Sequence, residues 1–357
     1  MGGLAARTRG ATYVIWIAGR NDERRKAMSA SRWDDVRSWL KQHWKIIRRF
    51  IGIAFATAIV ILITMAVIKI DWREVVGAIH GLPASALWLA GLITVASYFV
   101  YSSYDVLGKR YTEHDLPWWK CMMTGFISYA FTMNMGAPVG GLGLRLRLYS
   151  KHGLEPGVIV RIVGLSITTN WIGYTLLAGV LFASGMVELP ADWKLDNGPL
   201  RIIGAIMVAI ALAYLALCKF STTRSREIFG HTIELPSIGI ALVQICLAVV
   251  NWMLIGAAIY VLLQQNISYP VVLATFLVSA VAGALTHIPG GIGVIESVFV
   301  GLLSGSMARH EILAGLLVYR AIYYLGPLVV AGTWYLAMEA RLGRFARHAN
   351  CSSKSTR

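Results

Sequence analysis

Charge is scarce in this sequence, and negative charge scarcer still. Only 14% of the 357 residues are charged, and 18 acids stand against 33 lysines and arginines, where a soluble globular chain carries about 25% charged residues. So few charges rule out an ordinary soluble domain. Catalytic signatures are missing as well: there is no HExxH, no GxSxG, no GxxxxGK[ST] phosphate loop and no dinucleotide fingerprint. No polar stretch is long enough to fold as a catalytic or nucleotide-binding domain. The expectation is a protein that is not an enzyme, takes no cofactor, and drives any transport by gradients or passive scrambling. The four cysteines, Cys121, Cys218, Cys246 and Cys351, show neither CxxC nor metal-ligand spacing, which argues against a disulfide framework and a metal site alike. A period-2 pattern is absent too, and with it the transmembrane β-barrel.

What the chain does have is apolar length. Hydrophobic residues make up 57% of it, mean hydropathy is +0.62, and nearly uncharged runs recur at the roughly 20 residues a helix needs to cross about 30 Å of hydrocarbon. Full spans are expected at 50–70, 84–106, 158–184, 200–218, 238–263 and 312–337. The net charge of +15 does not point to nucleic acid, because the basic residues cluster at the ends of apolar runs, where they set topology and anchor the lipid surface.

Two further apolar stretches are interrupted. Residues 121–135 run into GAPVGGLG, and residues 271–288 run into PGGIG. If the basic groups Arg48/Arg49, Lys109/Arg110, Arg145/Arg147/Lys151, Arg224/Arg226 and Arg341/Arg344/Arg347 are cytoplasmic and the acidic segment 187–199 lies outside, each interrupted stretch enters and leaves on one side. The expected architecture is therefore an all-α polytopic membrane protein with about six full spans and two oppositely oriented re-entrant hairpins. A basic cytoplasmic extension over 1–49, a single transmembrane domain over 50–338 and a basic cytoplasmic tail over 339–357 complete it. Met28 opens a second, more ordinary amphipathic start, so residues 1–27 need not belong to the native chain.

The interruptions resemble each other. PVGGLGL and PGGIGV pair Gly140 with Gly290, Gly141 with Gly291 and Gly143 with Gly293, after Pro138 and Pro289 respectively. Two such clusters at the ends of oppositely directed half-spans suggest an inverted repeat. Proline and consecutive glycines stop a helix and let backbone approach another group. The helix that restarts presents N–H groups suited to a phosphate or carboxylate. The plainer reading is close packing or kinking, common roles of both residues in membrane helices.

Ionisable residues gather near the breaks, although each costs about 2.5–3.5 kcal/mol at mid-bilayer. Arg145 and Arg147 follow the first, Arg161 lies inside the next span, His287 precedes the second, Glu296 follows it and Arg320 sits within LVYRAIYYLGP. Arg147 and Lys151 read as interfacial residues that snorkel. Glu296 is the natural counter-charge to Arg320, in a pair that could be purely structural. His287 serves equally as a packing residue, and Asn134, Asn170 and Asn251 read as interhelical hydrogen-bonding groups. Tyr323 and Tyr324, between Arg320 and Pro327, mark an interface or line a cavity.

GLGLRLRLY, HIPGGIGVIESVFVGLL and LVYRAIYYLGPLVVAG together resemble the lysylphosphatidylglycerol synthase transmembrane family, the flippase region of multiple-peptide-resistance factors. The resemblance covers roughly residues 45–340. It implies movement of a phospholipid-like amphiphile between leaflets of a bacterial cytoplasmic (inner) membrane; the basic groups at the span ends are what put both termini on the cytoplasmic side. It also implies that Pro289, Gly290, Gly291, Gly293, Glu296, Arg320 and Pro327 belong to the translocation core. The sequence stops at residue 357 without the aminoacyl-transferase domain of the longer family members, so lysylated lipid is not an expected product and the cargo stays open. The candidate translocation set is Pro138, Gly140, Gly141, Gly143, Arg145, Arg161, His287, Pro289, Gly290, Gly291, Gly293, Glu296, Arg320, Tyr323 and Pro327. Membrane lipids are the expected partners, with lipid-synthesis enzymes as further ones. Two rival classes stand beside transport: an intramembrane enzyme using Glu296 and His287 as acid and base, and a non-transporting partner of a lipid-synthesis complex.

Overall fold

The structure is a computed structural model describing residues 72–186, 197–221, 225–228, 231–286 and 289–355. The expected N-terminal extension, the expected span 50–70 and His287 lie outside the described residues. Helices take up the apolar runs. A short α1 (Trp72–His80) leads into α2 (Ala84–Thr112), which begins after Pro83 and ends where Glu113 turns left-handed at φ 54° and donates its N–H to the Lys109 carbonyl. Lys109 and Arg110 in its last turn oppose the negative end of the helix dipole. Next come α3 (Trp118–Met135), a π-helical segment Ala137–Leu144, α4 (Arg145–Lys151) and α5 (Pro156–Ala183), which starts with proline where a missing N–H costs nothing. After α6 (Asn197–Phe220), a two-stranded antiparallel ribbon pairs β1 (Ser225–Ile228) with β2 (His231–Glu234).

The second half comprises α7 (Ile238–Leu262), α8 (Tyr269–Thr286), a single turn at Pro289–Gly291, α9 (Val294–Leu303) and α10 (Arg309–Tyr319). A π-helical turn, Arg320–Leu325, then leads into α11 (Gly326–Ser355). The Ser237 hydroxyl caps α7 by accepting from the Ile240 N–H at 3.4 Å.

Among the described residues, six helical stretches are long and apolar enough to cross a membrane: Ala84–Thr112, Pro156–Ala183, Gly198–Phe220, Ile238–Leu262, Tyr269–Thr286 and Arg309–Ala340. The protein is an all-α polytopic membrane protein. Five of these coincide with expected spans. The sixth, α8, was expected only as one limb of a hairpin; its 18 residues reach about 27 Å at about 1.5 Å per residue, close to the hydrocarbon thickness.

Apolar surface alone does not hold such helices together in lipid, so small residues set their closest approaches. A methyl built on Gly173 of α5 would lie 2.1 Å from the Ala248 Cβ of α7. Where α5 crosses α6, one built on Gly204 would lie 2.4 Å from the Ala183 N. Between the contact helices sit buried clusters, one of them Cys121, Tyr149, Ile159, Ile162 and Val163. Outward-facing residues such as Leu92, Val95, Ile202, Ile206 and Leu217 are exposed and apolar, as a lipid-facing surface requires.

Replacing Gly173 by alanine is expected to destabilise the fold by at least about 1–3 kcal/mol through overpacking. Gly164→Ala, where an added Cβ meets nothing within 4 Å, should leave stability unchanged. Thermal unfolding of the two purified variants in one detergent checks the contrast.

Candidate functional site

At the first interruption α3 stops at Gly136, whose φ of 86° is open to glycine but strained for other residues. The chain then doubles back. A Cβ on Gly140 would fall 2.1 Å from the Thr132 N and 2.5 Å from the Phe131 carbonyl carbon, so the returning limb lies directly on the backbone of α3. This corrects one expectation: the helix does not break at Gly140, Gly141 and Gly143. Those residues sit inside the π-helical limb that also contains Pro138, and their missing side chains serve close packing. Nor does the helix restart after the glycines with free N–H groups, because α4 continues from the π-helix.

Arg145, the first residue of α4, is 2% exposed, and its partner Asp105 on α2 is fully buried. Its Nε donates to Oδ1 at 3.0 Å and Oδ2 at 3.2 Å, its Nη2 to Oδ2 at 3.0 Å and its Nη1 to the Gly141 carbonyl at 3.1 Å. Such a bidentate pair locks α2 to the returning limb. Gly125 of α3 gives the carboxylate room, since a Cβ there would meet Asp105 Oδ2 at 2.6 Å. Sequence reasoning missed Asp105, an acid near the end of an expected span.

The second interruption does break at its glycines. Gly290, Gly291 and Gly293 take φ values of 68°, 57° and 82°. The aligned glycines of the two motifs therefore differ in conformation, and their likeness in sequence does not extend to backbone shape. From the π-helical turn opposite, Arg320 reaches across: Nη1 donates to the Gly290 carbonyl at 2.8 Å and Nη2 to that of Gly291 at 2.9 Å. Nη2 also donates to Glu296 Oε2 at 3.0 Å and Nε to Glu296 Oε1. Glu296 in turn caps α9, accepting the Gly293 N–H at 2.9 Å. The Arg320 guanidinium stands 5.4 Å over the Tyr324 ring. The Arg320 and Glu296 side chains are 16% and 21% exposed, while Leu285 before the glycines and Ile292 between them are 74% and 67% exposed.

The two tips meet. A Cβ on Gly290 would contact the carbonyls of Met133 and Asn134, the last turn of α3, at 3.5 and 3.8 Å. Asn134 Nδ2 donates to the Tyr324 carbonyl at 3.2 Å. Pro327 has no N–H for the carbonyl four residues back, that of Tyr323, and the Tyr98 hydroxyl donates to it instead at 3.0 Å. Tyr323 itself is fully buried, its hydroxyl bonded to those of Ser97 at 2.7 Å and Tyr129 at 3.0 Å. It packs inside the bundle rather than lining an open cavity.

The remaining candidates lie apart. Arg161 of α5 stands 5.2 Å over the Tyr111 ring. Arg147 Nη2 binds Glu339 Oε1 of α11 at 2.8 Å and Lys151 binds the same oxygen, so both basic residues are ion-paired. Past the end of α2, burial and then the Lys109 ammonium hold the His114 imidazole below its ordinary pKa. Among the described residues no cluster of three histidines, cysteines or acids could hold a metal ion.

Against known proteins, residues 49–331 match the family model described as the lysylphosphatidylglycerol synthase TM region. The chain is 42% identical over 299 residues to the inner membrane protein YbhN of Escherichia coli, covering 84% of this chain and 94% of that protein. It is 30% identical over 287 residues to an uncharacterized protein of Synechocystis, covering 80% and 89%. With a phosphatidylglycerol lysyltransferase of Staphylococcus aureus it shares 22% identity over 288 residues, 78% of this chain but 33% of that enzyme.

Asp105→Asn leaves Arg145 buried without its counter-charge and is expected to cost about 3–5 kcal/mol. The double variant Asp105→Leu/Arg145→Met should recover most of that stability. Detergent-solubilised unfolding curves of both test the pair.

Proposed function

The chain belongs to the lysylphosphatidylglycerol synthase transmembrane family, and from that premise we propose that it transfers a phospholipid or lipid-linked amphiphile between leaflets without modifying it covalently. One observation carries this reading: the Arg320–Glu296 pair is mostly buried but keeps an open edge, it holds the glycine carbonyls of the break, and Ile292 of the same break is an exposed apolar residue. A polar binding group edged by lipid-facing apolar surface is what an amphiphile requires, since the headgroup enters the protein while the acyl tails stay in hydrocarbon. Arg320 supplies the phosphate contact. Glu296 keeps the guanidinium neutralised until a headgroup arrives.

The Arg145–Asp105 pair supports the transfer path without touching cargo, because both side chains are buried and bonded to each other and to the Gly141 carbonyl. The two hairpins enter the membrane from opposite faces in this proposal, and their tips meet at Gly290 and Asn134. The site then lies where a headgroup from either leaflet can reach it. We assign the chain to the inner membrane, as its relative YbhN is an inner membrane protein, with both termini cytoplasmic.

The test is reconstitution of the purified full chain into liposomes carrying tail-labelled phospholipids, with outer-leaflet label destroyed by an impermeant reductant. Label from the inner leaflet is expected to become reducible much faster than in empty vesicles. Arg320→Lys, which keeps charge but loses the planar fork, should slow transfer by roughly tenfold, and Arg320→Ala should abolish it. Transfer no faster than in protein-free vesicles, across lipids and imposed gradients, overturns the proposal.

A further inference from the structure

We infer that the second break selects a headgroup pairing a phosphate ester with a primary ammonium, of the phosphoethanolamine kind, over choline-type and glycerol-type phospholipids. This rests on the reading of that break as the headgroup site. It follows from the set of acceptors that Arg320 holds. The guanidinium satisfies four acceptor contacts: both oxygens of the Glu296 carboxylate and the carbonyls of Gly290 and Gly291. A phosphate can draw Arg320 to itself only if something else takes those acceptors over, because carbonyl and carboxylate oxygens left bare away from water are costly.

A primary ammonium is matched to that duty. It carries three N–H donors, for Glu296, Gly290 and Gly291 in turn, and brings one positive charge to replace the one displaced. The phosphate meanwhile replaces the carboxylate as the partner of Arg320. Two ion pairs form where one stood, and the site's net charge is unchanged. Competing headgroups each fail one of these conditions. A quaternary ammonium has the charge but no N–H, and leaves both glycine carbonyls bare. A phosphoglycerol headgroup offers hydroxyl donors but no cation, so Glu296 is stranded beside a second anion. A headgroup with two ammoniums adds an uncompensated charge.

The site is built to keep its acceptors in place during the exchange. Glu296 stays tied by the Gly293 N–H at 2.9 Å, and the three left-handed glycines fix the carbonyls in a turn that residues with side chains rarely adopt. The Tyr324 ring, 5.4 Å from the guanidinium, keeps a face for Arg320 once it has let go of the carboxylate. The first break has no such capacity: its Arg145 and Asp105 are 2% and 0% exposed, with no edge open to a headgroup.

Native mass spectrometry of the purified full chain with an equimolar mixture of lipids sharing the same tails tests the inference. Ethanolamine, N-methyl-, N,N-dimethyl- and choline headgroups remove the N–H donors one at a time, and phosphoglycerol removes the cation. Retention is expected to fall stepwise with methylation, by roughly tenfold or more from ethanolamine to choline, with phosphoglycerol also weak. Glu296→Gln, which removes the anion that a phosphoglycerol headgroup strands but leaves the glycine carbonyls in place, should narrow the gap between ethanolamine and phosphoglycerol by roughly tenfold while ethanolamine stays ahead of choline. Equal retention of ethanolamine and choline by the unaltered protein, or preference for phosphoglycerol, overturns the headgroup assignment. Selective retention without leaflet transfer in the liposome assay overturns transport and leaves the headgroup assignment standing. Transfer without selectivity does the reverse.

Discussion

Hydrocarbon offers no hydrogen bonds, and every carbonyl that a glycine or proline frees inside it must be met by another part of the protein. Most of the arrangement around the two breaks follows from that demand. Arg145 takes the carbonyl of Gly141, Arg320 those of Gly290 and Gly291, and the Tyr98 hydroxyl that of Tyr323, which Pro327 deprives of its usual donor. Each arginine then needs a counter-charge of its own, and Asp105 and Glu296 supply it. Charge enters this membrane domain because backbone leaves the helical pattern there.

The two solutions are reciprocal. At the first break the arginine belongs to the limb that follows the glycines and the acid comes from α2. At the second the acid follows the glycines and the arginine arrives from the turn before α11. Their burial separates them in role. Asp105 and Arg145 are sealed among tyrosines and the backbone of α3, where an ion pair fixes geometry and exchanges with nothing. Glu296 and Arg320 keep an open edge, so their contacts can be traded for those of a ligand.

Much of this was legible in the sequence. Apolar length located five of the spans among the described residues, because hydrocarbon thickness dictates helix length, and a glutamate just after PGGIG and an arginine in the last span announced their pairing by being too costly to leave alone. Less legible was anything set by three-dimensional neighbours. Asp105 lies near the end of a run rich in tyrosine, one turn before Lys109, and nothing local tells that its partner is forty positions away. GGLG and GGIG look alike as strings, yet one packs inside a π-helix and the other turns left-handed. Glycine permits both outcomes, and only the neighbouring backbone chooses.

The wide turn at Arg320–Leu325 acts as a phase setter for the last long helix. One residue corresponds to about 100° of rotation in an α-helix, and a π-turn inserts its extra residue without interrupting the rod. Arg320 above it faces the second break, while Glu339 below it faces Arg147 and Lys151 beside the first hairpin. The two ends of a single rigid shaft thus engage opposite halves of the protein. Loss of the extra residue would rotate one engagement out of alignment with the other, so the turn sets the relative bearing of two contacts that lie at opposite ends of the stretch.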